Sequence, residues 1–150
     1  MIRPQPADFF KDWKEREALA EGMIPLVGKL YREQNVALYM YGRSMVNLSV
    51  TDLMKAHRFV RQIEHNELSE FDTFPMIAAL AHLNLGPAHI DIGKLTVQFI
   101  ERRLGRGDEE QFLRAAVGAD IASTRKPLPE AQDVVLFGFG RIGRLVARLL

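Results

Sequence analysis

The 150-residue chain contains no cysteine. Without a thiol it can form neither a disulfide nor a cysteine-ligated zinc site, and no cysteine nucleophile can act from within it. The chain also lacks an excess of either charge, with 20 Lys and Arg against 19 Asp and Glu. This balance argues against nucleic acid or an anionic membrane as a partner, because both attract strongly basic proteins.

Long hydrophobic runs are absent as well. The longest strongly apolar stretch, Phe74 to Leu85, covers about 12 residues, whereas a membrane-spanning helix needs about 20. The N-terminal segment from Met1 to Asp12 has neither the apolar region nor the small-residue cleavage site of a secretory signal. We therefore expect a cytoplasmic protein without a membrane partner.

Most of the chain has the apolar spacing of helices. Apolar residues recur every three or four positions from Asp8 to Glu33, and Gly22 and Pro25 interrupt this stripe. The interruption predicts either a kink or the end of one helix and the start of another. The apolar run from Val36 to Tyr41 fits a short buried strand as well as the end of a helix.

Four further helices are predicted from capping residues and apolar periodicity. The first begins after Thr51. The second covers the core segment Met76 to Leu85 behind a weak capping box at Ser69–Asp72. The third runs from Asp91 to Leu104, and the fourth extends from Asp108 to Gly118. Together these features predict a mainly α-helical N-terminal domain over residues 1–120. The aperiodic segment that follows contains two prolines, and it predicts a linker over residues 121–132.

The last segment, residues 133–150, has a different pattern. An apolar run from Val134 to Phe137 is typical of a strand buried on both faces. Three glycines in a G-x-G-x-x-G arrangement follow, and an amphipathic helix comes after them. This order predicts the first β-strand–turn–helix unit of a truncated α/β dinucleotide-binding domain of the Rossmann type. The residues expected to hold the cofactor are Gly138, Phe139, Gly140, Arg141, Ile142 and Gly143.

Each glycine of this motif is required for a different structural reason. Gly138 permits the tight turn after the strand, and Gly140 lets the backbone approach a pyrophosphate. Gly143 lets the helix pack closely on the strand. The amides of Arg141 and Ile142 then point toward the anion from the N-terminus of the helix.

The run Gly-Phe-Gly-Arg-Ile-Gly-Arg from Gly138 to Arg144 resembles the first strand and turn of glyceraldehyde-3-phosphate dehydrogenases. The resemblance covers about 17 of the 150 residues, from Val134 to Leu150. It departs from the family at Phe137, where asparagine is usual. The preceding helical region is similar to the N-terminal extension of a long bacterial form of this dehydrogenase.

The resemblance implies a tetrameric enzyme that oxidises and phosphorylates a small aldehyde substrate with NAD or NADP. In that family a cysteine thiolate attacks the aldehyde, a histidine acts as base, hydride passes to the cofactor, and phosphate releases the acyl thioester. This chain contains no cysteine, so we expect no catalytic residue in it and no activity from residues 1–150 alone. We also expect no tight cofactor binding by these residues alone, because one βα unit presents only part of a pyrophosphate site. The helix that reaches Leu150 lacks a stop signal, and a single strand has no ladder partner, so we expect a longer parent chain.

Two other interpretations remain open. Residues 1–120 could form a self-standing helical interaction or regulatory module, or the chain could begin a different Rossmann dehydrogenase. The four histidines have no metal-ligand spacing, so no metal site is predicted. His57 and His82 are expected either at the margins of the core or between packed helices. Lys55, Arg58 and Arg61 lie near one helical face, where they are either solvated or bind an acidic partner.

Overall fold

The computed structural model describes residues 6–63, 68–118 and 135–148. None of the helices in these ranges is long and apolar enough to cross a membrane. The elements in chain order are α1 (Pro6–Gln34), β1 (Val36–Met40), β2 (Arg43–Ser44), α2 (Val50–Ile63), α3 (Glu70–His82), β3 (Ala88–Asp91), α4 (Ile92–Glu101), α5 (Glu109–Val117) and α6 (Arg141–Val146).

The first helix continues through the predicted interruption. Pro25 is exposed inside α1, while Met23 and Val27 on either side of it are buried. Packing of this apolar face therefore holds the helix together, although the proline removes one backbone hydrogen bond. Gly22 lies against α3, since a Cβ there would come within 3.0 Å of the Phe74 ring. The alternative of two helices is wrong, and the glycine serves close helix packing instead.

The core contains a three-stranded sheet in the order β2-β1-β3. β1 pairs in parallel with β3, with Val36 opposite Ala88 and Tyr39 opposite Asp91. It pairs antiparallel with β2 across a two-residue turn at Tyr41 and Gly42, where φ is 48° and 79°. Two positive φ values identify the tight hairpin turn whose twist matches its strands. The open choice at Val36 to Tyr41 is thus decided in favour of a strand, and β3 was not predicted.

The parallel pair requires a long crossover, which α2 and α3 supply. Ser49, and not Thr51, caps α2, because its hydroxyl accepts from the Asp52 amide at 3.2 Å and donates to the Asp52 carboxylate at 2.7 Å. The cap consequently lies two residues earlier than predicted, and the helix begins at Val50. At α3 the Asp72 carboxylate accepts from the Ser69 amide at 3.0 Å, as the capping-box pattern predicts, so this helix begins at Glu70 and not at Met76.

The hydrophobic core lies where α1, α2 and α3 pack together and against β1. Its largest fully buried side chains come from all of these elements and from the segments that join them. On the other side of α3, α4 and α5 meet through an edge-to-face contact between Phe99 and Phe112, with ring centroids 5.4 Å apart. The predicted helix from Asp91 to Leu104 is shorter than expected at both ends. Asp91 belongs to β3 and caps α4, and the helix ends at Glu101, before Arg103 with its positive φ of 53°.

The predicted strand from Val134 to Phe137 is not formed over its described part. Val135, Leu136 and Phe137 belong to no strand, and Val135 and Phe137 are fully or almost fully exposed. The physical reason is that no strand among the described residues pairs with this segment, since a lone strand leaves its backbone groups unpaired. The predicted helix after the glycine turn is present as the short α6, which buries no residue. The predicted linker over residues 121–132 lies outside the described residues, so the domain boundaries stay a prediction.

Candidate functional site

In the glycine turn from Gly138 to Gly143, the local geometry requires glycine at two positions. Gly138 has φ of +91°, a conformation that side-chain-bearing residues rarely adopt. A Cβ on Gly143 would overlap the carbonyl oxygen of Gly138, so this helix residue lies directly over the turn. These two positions therefore have structural reasons to be glycine.

Gly140 has no such structural reason. A Cβ added there would meet no atom within 4 Å, and φ is an ordinary −74°. The residue caps α6 and lines an open cavity of about 500 Å³. A glycine that neither backbone conformation nor packing requires leaves free space beside the main chain, and a ligand that approaches the backbone would use this space.

The first turn of α6 supplies donors at the same place. Its first intrahelical bond runs from the Arg144 amide to the Gly140 carbonyl at 3.1 Å. The amides of the preceding helical residues, Arg141 to Gly143, have no acceptor within the helix. The side chains of Phe139, Arg141 and Ile142 are exposed, and Arg141 and Ile142 also line the cavity. The turn thus fits an anion such as a pyrophosphate, although the strand that should precede it is not formed.

A second candidate site is a polar cluster inside the helical domain, made of His57, Glu70 and Thr73. All three residues are buried, and His57 is only 2% exposed. The His57 ring places Nδ1 2.8 Å from the Leu53 carbonyl and Nε2 2.6 Å from the Thr73 hydroxyl oxygen. The ring is enclosed between α2 and α3, so of the two positions expected for His57 the margin of the core is wrong and the place between packed helices is confirmed.

These contacts determine the protonation of the ring. A carbonyl can only accept, so Nδ1 carries the proton and Nε2 of the neutral ring accepts from the Thr73 hydroxyl. Burial lowers the pKa of His57, and this effect outweighs the Leu53 hydrogen bond and the charge of Glu70, which raise it. The ring is consequently held neutral at physiological pH.

The Glu70 carboxylate lies beside the ring and pairs with α1. Its Oε2 accepts from Nη1 of Arg16 at 3.3 Å, and Arg16 also donates from Nε to Asp12 at 2.9 Å. Burial lowers the pKa of Arg16, but the hydrogen bonds and charges of Asp12 and Glu70 together raise it above its usual value. Arg16 therefore stays charged between the two carboxylates.

A cavity of about 420 Å³ opens beside this pairing. The cavity lies between α1, α2 and the start of α3, and Arg58 and Arg61 of α2 line it. Sequence spacing gave no signal for the site, because Arg16 and Glu70 are 54 positions apart. Among the described residues, no group of three or more His, Asp or Glu side chains could hold a metal ion.

Comparison with known proteins gives one informative relative. The chain is 45% identical over 130 residues to a protein of Pseudomonas aeruginosa (strain UCBPP-PA14) named glyceraldehyde-3-phosphate dehydrogenase-like protein. The match covers 85% of this chain and 28% of the relative, so the chain spans less than a third of that protein. No family model matches the chain. Because 130 residues far exceed the segment after Val134, the similarity extends through most of the helical region.

Proposed function

We propose that this chain is the N-terminal portion of a glyceraldehyde-3-phosphate dehydrogenase that oxidises and phosphorylates its aldehyde substrate with NAD or NADP. The observation that carries the proposal is the 45% identity to the dehydrogenase-like protein over 130 residues. In this proposal the cysteine-free chain supplies no nucleophile, and the catalytic residues belong to the rest of the protein. The parent is a cytoplasmic homo-oligomer.

The exposed apolar side chains at the C-terminal end support a longer parent chain. Phe137 is fully exposed, and Val135, Phe139 and Ile142 are exposed as well. Large apolar side chains this close together in sequence usually pack against something else in a soluble protein when they form a patch. Further strands of an α/β sheet would cover these side chains and would also give Val135 to Phe137 the ladder partners they lack.

The free space beside Gly140 supports the role of the glycine turn in binding the cofactor. The turn would hold the pyrophosphate against the amides of Arg141 and Ile142. The cofactor, when bound, would accept the hydride of the aldehyde.

The first test is the intact mass of the native polypeptide from its source. A mass well above the 17.0 kDa of these 150 residues, together with phosphate-dependent NAD or NADP reduction by glyceraldehyde 3-phosphate, is expected. A native polypeptide of 17.0 kDa would contradict the proposal and favour a self-standing helical module.

The second test is Gly140→Ala in the same native polypeptide. Because the added methyl group meets no protein atom in the described chain, the variant should fold normally and its Kd for the cofactor should rise at least about tenfold. Gly105→Ala is the matched control, since its Cβ would make only an ordinary contact, 3.6 Å from Asp108. An unchanged Kd in Gly140→Ala would show that the turn does not hold the cofactor.

A further inference from the structure

The cavity beside Arg16 has the size of a small-molecule site. Its volume of about 420 Å³ lies within the usual range for ligand pockets, about 300–1,000 Å³. It combines one indole ring, three arginines and two carboxylates, of which only Glu70 is buried. Its polar and aromatic lining consists of Asp12, Trp13, Arg16, His57, Arg58, Arg61 and Glu70.

The Glu70 carboxylate presents an unused acceptor to this cavity. Glu70 is 3% exposed, and its Oε2 is occupied by Arg16. Its Oε1 lies 3.8 Å from Nδ1 of His57, which is too far for a hydrogen bond, and that nitrogen donates to Leu53 instead. Since no fully enclosed side-chain oxygen or nitrogen of the described residues lacks a partner, Oε1 must be reached from the cavity. A ligand there would need a hydroxyl or amino group that donates to it.

The other side of the cavity carries positive charge. Arg58 and Arg61 lie three residues apart on α2, both exposed and both lining the cavity. Residues at this spacing are neighbours on a helix surface, and guanidinium groups favour phosphate because their donors match its oxygens. A ligand that fills the cavity would therefore place a phosphate here.

Trp13 supplies the third feature. Its side chain is 43% exposed and forms part of the cavity wall. Indole rings stack well on planar rings such as nucleobases.

We propose that this cavity binds a nucleoside monophosphate. The base stacks on Trp13, the phosphate pairs with Arg58 and Arg61, and a sugar hydroxyl or a base amino group donates to Oε1 of Glu70. Neither inorganic phosphate nor a triose phosphate would use all three features, because both lack a planar ring. The proposal does not depend on the cofactor role of the glycine turn, which consists of other residues.

The test uses Trp13 as the reporter, because it is the single tryptophan of the chain. The purified 150-residue protein is titrated with AMP, and tryptophan fluorescence and calorimetric heat are followed. A saturable change is expected from AMP, with at least tenfold weaker binding of adenosine and of inorganic phosphate. The double variant Arg58→Gln/Arg61→Gln should raise the Kd for AMP at least tenfold, whereas the control Arg106→Gln should leave it unchanged.

Three results would overturn the proposal. The first is no saturable signal with AMP, and the second is equal affinity for inorganic phosphate. The third is an AMP affinity that the double variant leaves unchanged but Gly140→Ala abolishes, since AMP would then bind at the glycine turn. Far-ultraviolet circular dichroism checks that the double variant is folded, and both of its substituted side chains are exposed.

Discussion

The Nε2 atom of His57 lies 2.6 Å from the hydroxyl oxygen of Thr73, and this contact joins α2 to α3 inside the core. The Thr73 oxygen also lies 3.2 Å from the Ser69 carbonyl. The Thr73 hydroxyl has one proton, and it donates this proton to Nε2 in a hydrogen bond while the ring is neutral. Protonation of the ring would reverse the donor, because Nε2 would then donate and the Thr73 proton would turn to Ser69.

The stability of the protein should fall as the pH decreases below about 6.5, the usual pKa of histidine. The pKa of His57 is lowered in the folded state by burial, so the unfolded chain binds a proton at a higher pH than the folded chain does. This contribution is constant above the unfolded pKa and is lost progressively below it, by at most ~1.4 kcal/mol per pH unit. Urea unfolding at a series of pH values measures the slope.

His57→Gln is the variant that isolates this effect, since it removes the titrating ring. Its stability should depend less on pH between about 5 and 7 than that of the unmodified protein. His82→Gln is the matched control, because His82 is an exposed histidine of α3. Equal slopes for His57→Gln and the unmodified protein would contradict a lowered pKa at His57.

Thr73→Val should lower the free energy of unfolding by about 1–3 kcal/mol, because it leaves Nε2 of the buried ring without a partner. Thr73→Ser keeps the hydroxyl and should cost about 1 kcal/mol through the lost methyl group. Thr96→Val is the control, since Thr96 is equally buried but its hydroxyl donates to the Ile92 carbonyl of its own helix. Chemical denaturation gives all three values. Equal losses in Thr73→Val and Thr96→Val would show that the contact with His57 contributes nothing specific.

Gly93→Ala should destabilise the protein by about 1–3 kcal/mol, although alanine is the better helix former. A Cβ at Gly93 would lie 2.6 Å from Sδ of Met40 and 3.0 Å from the Tyr41 ring, so α4 could not pack as closely against β1. Gly105→Ala, which meets only Asp108 at 3.6 Å, should stay within about 0.5 kcal/mol of the unmodified protein. Thermal and urea unfolding compare the two. A Gly93→Ala variant as stable as Gly105→Ala would show that Met40 and Tyr41 can move aside without loss of stability.

Asp91→Ala should cost about 2–3 kcal/mol, since the carboxylate accepts three backbone hydrogen bonds. It accepts from Tyr41 at 3.1 Å and Gly42 at 2.9 Å in the hairpin turn, and from Lys94 at 3.1 Å in the first turn of α4. Asp91→Asn keeps one acceptor oxygen and should lose about half as much. Urea unfolding of both variants measures the difference. A loss below about 0.5 kcal/mol in Asp91→Ala would mean that water replaces the carboxylate at these amides.

The short-range patterns predicted most helices correctly. The capping arrangement at Ser69 and the αL glycine at Gly118 are local signals, and both lie at the ends of helices in the structure. The alternative of two helices at Gly22 and Pro25 was wrong because the reasons for these two residues are not local. Gly22 serves contact with Phe74 of another helix, and the burial of α1 compensates for the proline.

The sheet was harder to predict because its pairing is long-range. β3 has only four residues, and its amide at Ala88 bonds to the Asn35 carbonyl far away in sequence. Conversely, the apolar run before Gly138 has the composition of a strand, yet no neighbour pairs with it in the described chain. Strand propensity alone therefore did not predict β3, and it was not sufficient to form a strand before Gly138.

The sequence by itself determined the helical periodicity, the glycine turn that begins at Gly138 and the absence of a cysteine nucleophile, because each depends on residue types at short spacing. Only the tertiary structure decided that Arg16 of α1 pairs with the buried Glu70 beside His57, next to a cavity. The physical reason is that helix packing brings these residues together from three separate segments, and burial then lowers the pKa of His57. No local sequence pattern indicates which faces of those helices pack together.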